Sequence, residues 1–580
     1  GQNWNGMCAE CHSTNLKKGY DPATDTYDTT WDDIDVGCEA CHGPGSDHVA
    51  WAGLPPMARP ELANTGFPVP TAQLEGPGVV ENCAPCHSRR AELGDYDHTG
   101  GALLDHMLPS LLRDGLYEPD GQIRDEVYVY GSFLQSKMHA NDVRCSDCHD
   151  SHSLKLVKEG NDLCLQCHDA TVYDTYDHHF HKKIHEGQAS DGYLCVKCHM
   201  VEKPYMVIDW RADHSFRVPR PDLTATLGTR DACSTCHDDK PLQWSIDAFT
   251  KWYGTARKPH YGTTFAAARA GSTTVAPELA RFADSELQSS MVRATALEHL
   301  SALAAPEAQV PLEMALMSDD PLLRQTAASH LFEPDPARRL ELLGPLLDDP
   351  RKAVRMAATS QLAGTDTTLM KGYQREALER GIAEYTEAME YSLDFASSGL
   401  NLGNMAQQMG DVAAAESWYR QSLTVDDLFL PSKMSLAVLL SSQGRNGEAE
   451  ELLRQAAGEY PEDPTPASSL GLLMIETGRP EEGAQWLGEA VDRDPAAVRV
   501  RYNLGLLLQQ MGRLDEAEAT FLAALGVDPT NLDVMYALAD HYIKRGRFDD
   551  ALRLAERMIA THPDQQIGHE IKAYLQQNGR

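Results

Sequence analysis

Every cysteine in this sequence falls in one pattern, Cys-x-x-Cys-His, and the pattern occurs seven times. The paired thiols are Cys8 and Cys11, Cys38 and Cys41, Cys83 and Cys86, Cys145 and Cys148, Cys164 and Cys167, Cys195 and Cys198, and Cys233 and Cys236. Two thiols at this spacing can each form a thioether to one porphyrin edge, and the histidine that follows is placed to bind the iron. The pattern predicts seven c-type haems with His12, His42, His87, His149, His168, His199 and His237 as proximal ligands. Structural zinc needs two ligand pairs and no histidine at that position. A disulfide across a two-residue gap belongs to redox motifs rather than structural staples. Neither explains a histidine after every pair.

Each iron also needs a sixth ligand. Eleven histidines outside the motifs lie before residue 261, against five in the rest of the chain. The expected distal ligands are His48, His106, His139, His152, His179, His181 and His214; His98, His185 and His260 are read as ordinary surface histidines. His48 and His152 follow their own motifs too closely to reach around that porphyrin, so each is expected to cross to a neighbouring haem. In His178-His179-Phe180-His181, an extended chain turns His179 and His181 to one side, whereas a helix turns His178 and His181; the first arrangement is the expectation. Met200 and Met206 are expected to be core packing, because histidine is in surplus.

These ligands must be held by a segment with little regular periodicity. Residues 1–262 are expected to be coil and short helices wrapped around a haem stack, including a short helix at Leu163–His168. Residues 263–368 repeat at 31-residue spacing: Arg293, Arg324 and Arg355 stand with Val292, Leu323 and Val354, with Ala296, Ala327 and Ala358, and with Leu300, Leu331 and Leu362. Such a period predicts stacked helices, and the Val-Arg-x-x-Ala pattern resembles HEAT repeats. Residues 369–580 carry Gly410, Gly444, Gly478, Gly512 and Gly546 at 34-residue spacing. Small residues follow at 415, 449, 483, 517 and 551, and Pro461, Pro495, Pro529 and Pro563 come later in each repeat, matching the tetratricopeptide pattern. Gly483, standing where the other repeats have alanine, is expected to loosen its helix. The C-terminal part is thus an all-α helical-repeat solenoid, whose surface is expected to dock a protein partner.

The chain has 580 residues and a formal charge of −35. That charge argues against nucleic acid or an anionic membrane surface as partner. No apolar run approaches the length of a membrane span. Covalent haem attachment occurs outside the bacterial cytoplasmic membrane, so an export signal is expected to have been removed and the protein to be periplasmic or at the cell surface.

The stretches Gly1-Gln-Asn-Trp-Asn, Val36 to Gly45, Asp125 to Leu134, Cys145 to His149 and His214 to Arg220 resemble the doubled-CXXCH multihaem cytochromes that carry C-terminal tetratricopeptide repeats. The resemblance spans essentially the whole chain. It implies one further haem c in a part preceding Gly1. Some relatives of this kind polymerise into extracellular filaments, which implies self-association through the haem domain. The function expected is electron transfer along closely spaced bis-histidine haems, exchanging electrons with redox partner proteins. The alternative is an oxidoreductase that reduces a small nitrogen or sulfur oxyanion at a haem with an open site. No Cys-x-x-Cys-Lys motif is present, and the histidine supply favours electron transfer over enzymatic turnover.

Overall fold

The computed structural model describes residues 3–578; the first two residues of the Gly1-Gln-Asn-Trp-Asn stretch and the last two of the C-terminal segment lie outside them. The chain divides into two compact units, residues 1–394 and 395–580.

Most motifs of the first unit sit on single turns. Three are 3-10 turns, at Ala9–Cys11, Cys145–Asp147 and Cys233–Thr235. A fourth follows the longer 3-10 run Gly160–Gln166, where the sequence predicted a helix at Leu163–His168. The others lie on α-helices: Glu39–His42, Gly76–His87 and Cys195–His199. A single turn suffices because the second cysteine N–H of a motif reaches the carbonyl of the first. Cys41, Cys148, Cys167 and Cys236 all make this bond, at 3.2–3.3 Å, and it folds the two thiols of each pair together. Between motifs run five two-stranded antiparallel hairpins, which the sequence reading did not name. The longest pairs Glu202–Tyr205 with Asp209–Ala212. Met206 lies at its tip and is 65% exposed, so it is not the core residue expected.

The expected border at residue 262/263 does not divide the core. One apolar cluster runs from Val80 through Leu112 and Phe133 to Leu297, Val354 and Ala388. Ladder residues Val292, Leu323 and Val354, with the alanines and leucines in step, are buried on or at the end of three helices: Ser290–Ala302, Pro321–His330 (Leu331 caps it) and Lys352–Leu362. Their arginines link successive layers. Arg324 pairs with Asp349 at 2.7 Å and Arg355 with Glu384 at 2.5 Å. Polar ties run back to the motif-bearing segment: Arg351 to Asp105 at 2.9 Å and Lys352 Nζ to the Leu93 carbonyl at 2.8 Å. Helix Gly372–Tyr391 also belongs to this unit rather than to the C-terminal repeats, which moves the second border from 369 to 395. It lies so close to Lys352–Leu362 that a Cβ on Gly381 would overlap Thr359.

Among the described residues, the second unit is five helix pairs and a final helix, Ile567–Asn578. The first pair is Ala396–Gln408 with Val412–Val425, and the fifth is Leu532–Lys544 with Phe548–Thr561. The repeating glycines end the first helix of each pair with φ between 71 and 79°, the left-handed region that glycine enters without strain. Ala415, Ala449, Ala517 and Ala551 are fully buried at the helix crossings. Gly483 is a correction to the sequence reading. A Cβ there would meet Ile475 Cγ1 at 2.8 Å and the Gly471 carbonyl at 3.0 Å, so helices Pro464–Glu476 and Pro480–Arg493 cross closer than alanine permits. Ion pairs staple neighbouring repeats at Arg445–Glu416, Arg479–Glu450 and Arg547–Glu518. Ala484 takes the glutamate position in between, and Arg513 turns to Glu516 instead.

Candidate haem-attachment sites

Four motif histidines face a second imidazole across a gap of one size. His42 and His152 are 6.1 Å apart between ring centroids, with planes 5° from parallel. His149 and His214 are 6.3 Å apart at 25°, His199 and His178 6.3 Å at 12°, and His237 and His181 6.2 Å at 35°. Direct ring stacking would bring the planes much closer. An iron bonded at about 2 Å to a nitrogen on each side would put the centroids about 6 Å apart. The gaps therefore fit a bis-imidazole iron.

Second contacts orient these rings. The Nδ1–H of His199 donates to the Arg217 carbonyl at 2.7 Å, that of His214 to Ala212 at 2.9 Å and that of His181 to His179 at 2.5 Å. His42 Nδ1 lies 3.1 Å from Thr71 Oγ1. Tying up Nδ1 leaves the Nε2 lone pair for a metal. Burial holds His42, His87, His199 and His214 below the ordinary imidazole range, so their rings stay neutral and able to ligate.

The cluster before the sixth motif follows the helical arrangement, not the extended one. Tyr176–His179 is a helical turn closed by Phe180 at φ 56°. This sends His178 toward His199 and His181 toward His237. His179 drops out of the expected set, because its Nδ1 accepts the His181 backbone N–H at 3.1 Å. That tautomer carries its proton on Nε2, which is buried and unpartnered.

The structure does not bring His48, His106 or His139 against a motif ring in the same way. His48 stacks on Phe67 at 4.1 Å and donates through Nδ1 to the Thr65 carbonyl at 2.9 Å. His106 lies 5.0 Å from the Tyr96 ring, and His139 lies 5.7 Å from Phe133. His98, read as a surface residue, is 3% exposed. Its Nδ1–H donates to the Ala40 carbonyl at 3.0 Å and its Nε2 is buried without a partner, an arrangement that suits a ligand and that the sequence reading did not single out. Only burial reveals it; nothing local in Asp97-His98-Thr99 does. His185 is exposed beside Glu186. His260 accepts the Gly262 N–H at 3.1 Å and caps a helix.

The surroundings of the motifs fit a large apolar group. Trp4 and Met7, just ahead of the first motif, Val172 and Tyr173, just past the fifth, and Leu154, between the fourth and fifth, are exposed, Leu154 at 90%. Exposed apolar side chains next to the motifs suit a surface that something covers. At the first motif, Arg90 is buried between Glu10, at 2.6 Å, and the Cys11 sulfur, at 3.5 Å from Nη1. Burial, reinforced by Glu10, pushes Glu92 up to about 9. Among the described residues, no group of three or more His, Cys, Asp or Glu is arranged to hold a bare metal ion.

Comparison with known families agrees at two places. A doubled CXXCH motif profile matches residues 138–173, covering the fourth and fifth motifs with His139 and His152. Tetratricopeptide repeat profiles match residues 400–464, 434–498, 469–531 and 508–575. No curated protein sequence matches the chain. Among solved structures, MamA is 17% identical over 29% of this chain and 92% of its own, with a TM-score of 0.26. YrrB, described as a TPR protein with an unusual peptide-binding site, is 22% identical over 32% of this chain and 97% of its own, with a TM-score of 0.27. A tetratricopeptide repeat protein from Parabacteroides merdae is 21% identical over 31% of this chain and 72% of its own, with a TM-score of 0.28. Likenesses at that level add nothing to the helix geometry. The C-terminal unit is a tetratricopeptide array, a scaffold for protein–protein contact, and residues 138–173 carry a paired motif of the haem-binding type.

Proposed function

We propose that this chain is a multihaem c-type cytochrome that passes electrons along seven covalently held haems. One observation carries the reading: four pairs of imidazoles stand 6.1–6.3 Å apart, each containing a motif histidine, in a chain whose every cysteine belongs to such a motif. When bound, the haems supply one-electron redox chemistry. The chain's own residues hold the porphyrin edges through paired thiols and keep the imidazoles neutral and aimed. An iron capped by two imidazoles has no open position, so it exchanges electrons rather than substrate.

The tetratricopeptide unit is proposed to dock a protein partner, such as a redox partner or a neighbouring subunit. Export to the periplasm or cell surface follows from where thioethers are made. Assembly into an extracellular filament extends the resemblance noted above. Among the described residues, no helix is long and apolar enough to cross a membrane.

The test is electron paramagnetic resonance of the oxidised, purified protein, alongside mass measurement of covalent haem. Seven haems, all low-spin, are expected. A large high-spin fraction with turnover of nitrite or hydroxylamine would replace this reading with the reductase. A mass without covalent haem would end both.

A further inference from the structure

Helix Gly76–His87, which carries the third motif, packs against both the Ala9–Cys11 turn of the first motif and the Cys145–Asp147 turn of the fourth. On one side the Cys11 thiol lies 3.9 Å from the Pro85 carbonyl inside the third motif, beside Cys86. On the other, Cys83 lies beside Cys145, where the helix meets the fourth motif's turn. From the fourth motif to the fifth, Gln166 Nε2 donates to the Asp147 carbonyl at 3.5 Å, and Cys148 lies near Cys167. From the fifth to the sixth, Asn161, just ahead of Cys164, accepts the Cys195 N–H at 2.9 Å, and Cys164 lies beside Cys195. From the sixth to the seventh, Arg230, just ahead of the seventh motif, donates from Nη1 to the Glu202 carbonyl, just past the sixth, at 2.9 Å, and Cys198 lies near Cys236.

These contacts alternate. First and third motifs meet through their second cysteines, third and fourth through their first, fourth and fifth through their second, fifth and sixth through their first, and sixth and seventh through their second. Each inner motif thus faces its predecessor with one thiol and its successor with the other. The second motif stands outside this series. Asn82, on the helix of the third motif, donates to the Cys41 carbonyl at 3.3 Å, and His42 faces His152 just past the fourth motif.

We propose that the attachment points are strung in the spatial order first, third, fourth, fifth, sixth, seventh, with the second beside the junction of third and fourth. The inference rests on the haem reading above and adds the route. The line ends at the first and seventh motifs, and the second is a side branch. With haem held at each motif, every inner site would have a neighbour on either side and electrons would pass through it, so the order of the path departs from the order of the chain.

The experiment is a map of iron positions in the haem-loaded full chain, by anomalous diffraction or electron cryo-microscopy, with each iron assigned through its thioethers. The first motif's iron should have the third motif's iron as nearest neighbour, and the second motif's iron should neighbour both the third and the fourth. An iron of the second motif lying between those of the first and third would overturn the order while leaving the electron-transfer reading intact. Absence of covalent haem in the same preparation would remove both.

Discussion

The imidazole of His152 lies parallel to that of His42, within 5°, at a centroid distance of 6.1 Å. His152 follows the fourth motif by three residues, yet it faces the second. The structure thereby crosses the two motifs over.

That crossing yields the first prediction. His152→Ala should turn one haem high-spin, and it should be the haem on Cys38 and Cys41. In a Cys38→Ala/Cys41→Ala background, which lacks that haem, the same substitution should add no high-spin signal. A signal that persists there would show that His152 serves another iron.

Adjacent histidines should behave oppositely. His178→Ala should produce a high-spin haem, because His178 stands 6.3 Å from His199. His179→Ala should leave the spin state unchanged, since its Nδ1 is engaged with the His181 backbone. Resonance spectra of the two variants side by side decide the matter; equal spectra would contradict the helical turn at Tyr176–His179.

The ends of the first unit are joined by a buried ion pair. Lys18 Nζ lies 2.7 Å from Asp394 Oδ1 with both side chains almost wholly enclosed, and Tyr27 and Asn3 also bond the carboxylate. Removing one partner strands a buried charge, at a cost of about 3–5 kcal/mol. Lys18→Met and Asp394→Leu should each lower the unfolding midpoint sharply, and the double variant should recover part of the loss. Additive effects in a double-mutant cycle would argue against direct coupling.

In the second unit, two glycines of one helix should respond with opposite sign. Gly483→Ala forces a Cβ against Ile475 and Gly471 and should destabilise the unit by about 1–3 kcal/mol. Gly488, on the same helix, has nothing within 4 Å of the added Cβ, so Gly488→Ala should stabilise by up to about 1 kcal/mol. Thermal unfolding of the two variants checks the sign directly.

Acid should weaken the first unit through His299. Its Nε2 is buried without a partner, and burial, aided by Arg269, brings its pKa down from 6.5 to about 4. A lowered folded-state value means that this contribution is complete above the unfolded value of about 6.5 and drains away as pH falls through about 4. The full difference is roughly 3 kcal/mol. His299→Leu should flatten the melting temperature between pH 6.5 and 4 relative to the parent; an unchanged slope would assign the acid sensitivity elsewhere.

A Cys-x-x-Cys-His motif is local. Its residues share about one turn of backbone, so Cys8 to His12 and its six counterparts were legible at sight. The tetratricopeptide array was equally legible, because its crossings recur every 34 residues and demand glycine at φ near 78°. Gly483 was misread because a lone sequence prices glycine by helix propensity, whereas here helix proximity decides. Facing imidazoles were half legible: the histidine surplus pointed to partners for the motif histidines, but not to which. His178 rather than His179 depended on whether four residues form a helical turn. His98 depended on burial beneath Ala40. The border at 262 failed for a related reason, since Leu112 and Phe133 bury themselves against helices far along the chain.

What the sequence settled alone were features spanning a few residues or a fixed repeat, because bond lengths and helix pitch impose those spacings wherever the chain goes. Tertiary structure decided which imidazole faces which, and which thiol lies beside which. Those pairings join segments with no spacing rule between them, and they exist only once the chain has packed.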